Sequence, residues 1–185
     1  ALLRPLIEGR LAAPNHPFTI NAVSGYTGGG KTMIASYESG QAPTFVLYGL
    51  ALNHKHIPEI TMHSGLTQKP VFVPSVGAFP QGMIVCVPLQ LTALENPPTL
   101  TALNELFSDY YSTSKSVVYH SIAEQAAYSD QRLSVDPAKD NDTMEIWVFG
   151  NSADQQAVLV ARLDNLGKGA AGAAVQNLKL MLDLS

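Results

Sequence analysis

Apolar positions change their period several times along the chain, and each change marks an element. Leu2, Leu3, Leu6, Ile7 and Leu11 recur at helical spacing before Pro14 and Pro17 end the pattern, so residues 1–11 are expected to form an amphipathic helix. Phe18, Ile20, Ala22 and Val23 read as a short strand running into Gly25, Gly28, Gly29 and Gly30, a loop that calls for tight backbone approach. Thr44–Leu52 is a β-branched and aromatic run broken by Gly49, and Pro58, Glu59 and Ile60 mark the first turn of a brief helix just after His54 and His56. Val71–Val76 and Gly82–Leu91 read as strands, the second so continuously apolar that burial on both faces is expected. Past a turn at residues 96–99, Leu100, Leu103, Leu106 and Phe107 predict a helix, and Ser116–His120 predicts a short strand. A polar loop, Arg132–Thr143, precedes strands Met144–Gly150 and Ala157–Leu163, which pair as a hairpin across Asn151–Gln155. From Asp164 a capped helix is expected, with Leu166, Ala170, Ala173, Ala174, Leu178, Met181 and Leu182 on one face and small residues suited to close packing.

This succession fits one domain of 185 residues, long enough to bury a substantial core. Composition adds a constraint on its surface. Charged residues make up 14% of the chain, against about 25% in an ordinary globule. Much of the exterior is therefore expected to be covered, in a homo-oligomer or by a domain outside this sequence. A net charge of -4 supplies no basic footprint, which argues against a nucleic-acid partner. The longest apolar run, Gly82–Leu91, is interrupted by Pro88 and Gln90 and falls short of the roughly 18 residues of a membrane span. The single cysteine, Cys86, excludes an internal disulfide, and no basic-plus-apolar leader is visible, so the cytoplasm is the expected location. The first residue is Ala1 and the first methionine Met33, which suggests a cut or processed start.

Three groups could carry chemistry. Gly25–Thr32 satisfies the phosphate-loop pattern G-x-x-x-x-G-K-T, with Lys31 and Thr32 as its ligands, and it follows a strand. The context fails twice: Val158–Asp164, the best candidate for a magnesium-binding strand, carries Arg162, and a helix after the loop must end by Gly40–Pro43. A nucleotide hydrolase, a plain glycine turn and a different anion-handling loop all remain open, the last favoured. His54, His56 and His63 with Glu59 could be metal ligands, since H-x-H on a strand places both imidazoles on one face with Lys55 pointing away. No further carboxylate or cysteine completes such a set. The same residues could be ordinary surface histidines, or one of them an acid/base positioned by Glu59, with the Tyr48 hydroxyl nearby. Cys86, among apolar neighbours, reads as a buried, unreactive thiol. A G-x-S-x-G elbow is missing, leaving a serine hydrolase without support.

Three stretches, Ala22–Lys31, Leu52–Ile60 and Leu163–Asn177, together with Phe72-Val73-Pro74 leading into Gly82-Met83, resemble N-acetyl-gamma-glutamyl-phosphate reductase in its shorter bacterial form. The resemblance spans nearly the whole chain and reassigns the phosphate-loop match as a substrate-side glycine loop. It implies an α+β architecture, a mostly antiparallel mixed sheet with helices on one face, similar to the C-terminal domain of glyceraldehyde-3-phosphate dehydrogenase. It also implies a parent enzyme in which an N-terminal half binds NADP. A cysteine in a segment directly before the helix at Ala1 attacks an acyl phosphate, and hydride reduces the resulting thioester, a step of arginine biosynthesis. Carried onto this chain, His54 would be the acid/base partner of that cysteine, with His56 and Glu59 supporting. Tyr48 would line the pocket, Ser24 and Gly25 would hold substrate, and Asn165 would approach the cofactor. The cysteine and the NADP-binding half are absent from this sequence, so residues 1–163 are expected to be a catalytic and dimerisation domain, inactive alone. Residues 164–185 are expected to be a helix that packs on the missing half. A non-catalytic interaction domain of the same fold is the remaining alternative.

Overall fold

Short runs rich in β-branched and other apolar residues build one seven-stranded sheet, in a computed structural model that describes residues 1–122, 132–138 and 140–184. The strands are β1 (Thr19–Gly25), β2 (Phe45–Leu47), β3 (Val71–Gly77), β4 (Met83–Gln90), β5 (Val117–Tyr119), β6 (Met144–Asn151) and β7 (Gln156–Leu163), in the order β2-β3-β1-β4-β7-β6-β5. β1 with β3 and β5 with β6 run parallel, and the other neighbours run antiparallel. The helices are α1 (Arg4–Glu8), α2 (Gly30–Glu38), α3 (Ile57–Ser64), α4 (Leu100–Tyr111) and α5 (Gly172–Met181). The architecture is thus the expected α+β one.

Register decides which residues are covered. Ala22 lies opposite Pro74 and Val85, Val85 opposite Ala161, and Ala161 opposite Ile146, so these side chains share one face of the sheet. That face meets Leu6 of α1, Ile57 of α3 and Leu103 and Phe107 of α4 in a single core cluster. Thr99 starts α4 by accepting the Ala102 N–H at 3.1 Å. The other face is open at its β2–β3 end, where Phe45, Leu47 and Val71 are 56%, 48% and 44% exposed, and covered over Trp147 and Val160. Toward β6 and β7 it carries Arg162, tolerable inside an apolar strand because Glu145 accepts from its guanidinium at 2.7 Å.

Several expected elements come out differently. The N-terminal helix is only one turn, because Gly9 ends it and Arg10 turns back at φ 56°. The Thr44–Leu52 run keeps three strand residues, since Gly49 at φ 63° and Leu52 at φ 54° turn the chain. β4 is not buried on both faces: Val87 and Leu89 lie against the helices, whereas Cys86 is half-buried and Pro88 exposed on the open side. Asp164 does accept the Leu166 N–H at 2.9 Å, but the chain first makes a π-type turn over Gly167–Ala171 and becomes regular helix only at α5. Of the polar loop Arg132–Thr143, Lys139 lies outside the described residues. Among the described residues no helix is long and apolar enough to cross a membrane.

Candidate functional site

β1 ends at Gly25 and runs through a 3-10 turn, Tyr26–Gly29, into α2. The turn is zipped to the β3–β4 connection: Gly25 N–H donates to the Gly82 carbonyl at 2.9 Å, Tyr26 N–H to Phe79 at 3.0 Å and Thr27 N–H to Pro80 at 3.2 Å. A Cβ on Gly25 would meet the Pro80 carbonyl oxygen at 2.5 Å and the Gln81 nitrogen at 2.7 Å, so only glycine allows this approach. The N–H of Gly30 is also engaged, by Thr27 O. A phosphate-cradling loop must leave such N–H groups free for its ligand. The phosphate-loop reading of Lys31 and Thr32 is therefore replaced by a loop docked against its own protein.

The segment after β7 closes this wall. Asn165 Oδ1 accepts the Gly82 N–H at 2.7 Å, Nδ2 donates to Thr27 Oγ1 at 3.0 Å, and the Thr27 hydroxyl donates to the Pro80 carbonyl at 2.5 Å. Asp164, 1% exposed, accepts from Leu166 N–H and Asp140 N–H at 2.9 Å and from the Gln81 amide at 2.7 Å. Burial alone would push its carboxyl up. The donors from Leu166, Gln81, Gly167 and Asp140 together outweigh that and hold it below the ordinary carboxylate value.

The opposite wall follows β2. Tyr48 directly follows the strand and the turn at Gly49 brings His54 back under it, ring centroids 5.6 Å apart. His54 also meets His56 at 4.9 Å and Phe72 at 5.2 Å, edge to face. The His56 N–H donates to His54 Nδ1 at 3.2 Å, which leaves Nε2 as the nitrogen open to a reacting group. Burial, followed by the neighbouring charges of His56 and Lys55, holds the His54 imidazole below its ordinary value, favouring the neutral ring. Burial likewise pushes the Tyr48 phenol up.

Between the walls lies a cavity of about 530 Å³ lined by Ser24, Gly25, Thr27, Gly28, Tyr48, His54, Lys55, His56 and Asn165, among others. Of the residues that the family resemblance assigns to the site, Glu59 lies outside it, as do Lys31, Thr32, His63 and Cys86 from the other readings. Glu59 lies in the first turn of α3 and faces an adjoining apolar hollow of about 370 Å³ with Ala1, Leu2, His56 and His63. Among the described residues it makes no hydrogen bond to His54 or His56, so it does not position either ring directly. No group of three metal-holding side chains is formed among the described residues. Cys86 is half-buried on the open sheet face and desolvation raises its thiol, as expected of an unreactive side chain. Lys55 lines the same cavity as both histidines, contrary to the strand-based expectation, because residues 54–56 form a turn rather than a strand and do not alternate. Thr27 is a polar residue inside the glycine loop and Asp164 an expected helix cap; neither has a further sequence signal for its place in this wall.

The sequence model of the family described as semialdehyde dehydrogenase, dimerisation domain, matches residues 1–165. N-acetyl-gamma-glutamyl-phosphate reductases from Brucella anthropi and Brucella ovis are 48% and 46% identical to this chain over 187 residues, 98% of the chain. The chain spans 60% of the length of those curated relatives. Among solved structures, a probable aspartate-semialdehyde dehydrogenase from Pseudomonas aeruginosa superposes with a TM-score of 0.67 at 18% identity, over 98% of this chain and 58% of that one. Aspartate semialdehyde dehydrogenase II from Vibrio cholerae, complexed with ASA, gives 0.64 at 15% identity over 98% and 58%. These structural matches are likenesses of fold.

Proposed function

The chain belongs to the semialdehyde dehydrogenase dimerisation-domain family, and from that premise we propose that its parent protein reduces an N-acetyl-gamma-glutamyl phosphate to the semialdehyde and phosphate, in cytoplasmic arginine biosynthesis. The observation that carries this reading is the convergence of the glycine loop, Tyr48, His54 and Asn165 on one cavity.

In this reading His54 exchanges a proton at Nε2 with the nucleophilic cysteine of a preceding segment, its Nδ1 being engaged by the His56 N–H. The lowered His54 value keeps the imidazole neutral at pH 7, ready to accept that proton. Ser24, Gly25 and Tyr48 shape the substrate side, and Lys55 brings positive charge to a cavity that no carboxylate among the described residues lines. Asn165, 9% exposed, fits a nicotinamide cofactor because it keeps an amide N–H beside the glycine loop. NADPH, held mainly by the N-terminal half, would supply the hydride when bound beside Asn165.

The same reading gives α5 a partner. Val175, Leu178 and Met181 are 51%, 54% and 81% exposed, an apolar helix face that packs on the NADP-binding half. The open sheet face, with Phe45 and Leu47, pairs with a second copy. The test is acyl-phosphate-dependent oxidation of NADPH by the full-length parent. His54→Gln is expected to lower kcat by about 10² or more, whereas wild-type turnover in that variant would overturn the assignment.

A further inference from the structure

The Asn165 amide has one acceptor oxygen and two N–H donors. A backbone N–H can only donate, so the 2.7 Å contact with Gly82 must be made by Oδ1, which fixes the two ends of the amide. One Nδ2–H goes to Thr27 Oγ1 at 3.0 Å. Since that oxygen accepts, its own hydrogen passes on to the Pro80 carbonyl, 2.5 Å away, in a chain of one polarity. The second Nδ2–H has no partner among the described residues, although Asn165 is only 9% exposed. Nδ2 lies 3.5 Å from the place a Cβ on Gly28 would take, and both residues line the cavity. That N–H therefore takes its acceptor from the cavity, water in the free protein and a ligand oxygen when one is bound.

We propose that Thr27 is a positioning residue: its hydroxyl holds the Asn165 amide so that the unpaired N–H points into the cavity and donates to a carbonyl oxygen of the bound ligand. The inference rests on the reductase reading for the identity of that ligand, which is either the cofactor's carboxamide or the substrate's acyl group. Geometry alone carries the role of Thr27. Its hydroxyl and its own N–H both reach Pro80 O, so the side chain has one orientation to offer Asn165. Valine matches threonine in shape and lacks the hydroxyl, whereas serine keeps it.

The experiment compares Thr27→Val and Thr27→Ser in the full-length parent. In the valine variant the KM for NADPH is expected to rise about tenfold with the acyl-phosphate KM within twofold if the acceptor is the carboxamide. The reverse split is expected if it is the acyl oxygen. The serine variant should stay within twofold of wild type, and a crystal structure of the valine variant should show the Asn165 amide turned from its present orientation. Valine kinetics within twofold of wild type, serine as impaired as valine, or an amide unmoved in the valine structure would each overturn the proposal. If the valine variant does not fold, Asn165→Asp, which removes both N–H donors while keeping the Gly82 contact, must show the same KM split, and an unchanged KM overturns it. A wild type without acyl-phosphate-dependent turnover defeats the reductase reading by itself, and the amide orientation still decides the role of Thr27.

Discussion

The two walls of the cavity are held by opposite means. On the glycine-loop side, Gly25, Tyr26 and Thr27 donate backbone hydrogen bonds across to residues 79–82, and Asn165 and Asp164 tie in the segment after β7. On the histidine side, Tyr48, His54, His56 and Phe72 meet mainly through ring faces and edges. The flanking Phe45, Leu50 and Leu52 are 56%, 67% and 51% exposed. One wall is tied by side-chain as well as backbone hydrogen bonds to distant segments of its own chain. The other is built of groups whose positions and charges respond to what packs beside them, as suits the side that meets a nucleophile from another segment.

Alanine at a glycine in each wall should separate them most sharply. At Gly25 a Cβ would meet backbone atoms at 2.5 and 2.7 Å, and yielding means breaking the zipper to residues 79–82. Gly25→Ala is expected to destabilise the parent protein by about 3 kcal/mol or more, read from urea unfolding, and to lose ligand binding. Next in size, Asp164→Asn sets an NH₂ group against an N–H donor in a buried site and should cost about 2 kcal/mol. The Asp164 carboxyl is held below its unfolded value near 3.8, so its contribution is fully present above that pH and is lost as pH falls through the lower folded value. Asp164→Asn should therefore also flatten the acid limb of the stability curve. Gly49→Ala is the smaller counterpart in the histidine wall. Its Cβ would find only ordinary contact, at 3.5 Å from His54 and Pro74 side chains, and the cost is the strain of φ 63°, about 1 kcal/mol. Equal losses at Gly25 and Gly49 would erase the contrast.

Much of this was legible from residue types. The β6–β7 hairpin, the helix after Thr99 and the glycine loop follow from period, turn chemistry and the need for close approach. The convergence of Ser24, Tyr48, His54 and Asn165 came from resemblance, since no local pattern says that positions 24 and 165 meet. Where the structure places residues differently, the reasons are local. The metal reading needs strand alternation to turn Lys55 away from the histidines, but positive φ at Gly49 and Leu52 ends the strand before that rule applies. Glu59 sits three residues past His56 in sequence, yet the first turn of α3 carries it toward a different hollow. The phosphate-loop match is real as a pattern, but a pattern does not report that the N–H groups of Gly25, Tyr26, Thr27 and Gly30 already have acceptors.

Lys55 offers the finest test of the contrast, because it can alter the histidine wall without disturbing its contacts. His54 sits below its ordinary value first through burial, then through the charges of His56 and Lys55. Removing one of those charges must let the imidazole bind its proton more readily, so in Lys55→Met the acid limb of kcat/KM should move to higher pH. It should stop short of the free-imidazole value of 6.5, because burial, the larger cause, is untouched. Lys55 is exposed, so the shift is a screened one and should shrink in 1 M salt, where the Debye length is about 3 Å. The same substitution should leave the stability limb set by Asp164 where it is, since that carboxyl takes its value from four fixed donors in the other wall. An acid limb that stays in place would mean that the charge of Lys55 does not reach His54, and the histidine wall would then be as insulated as the one facing it.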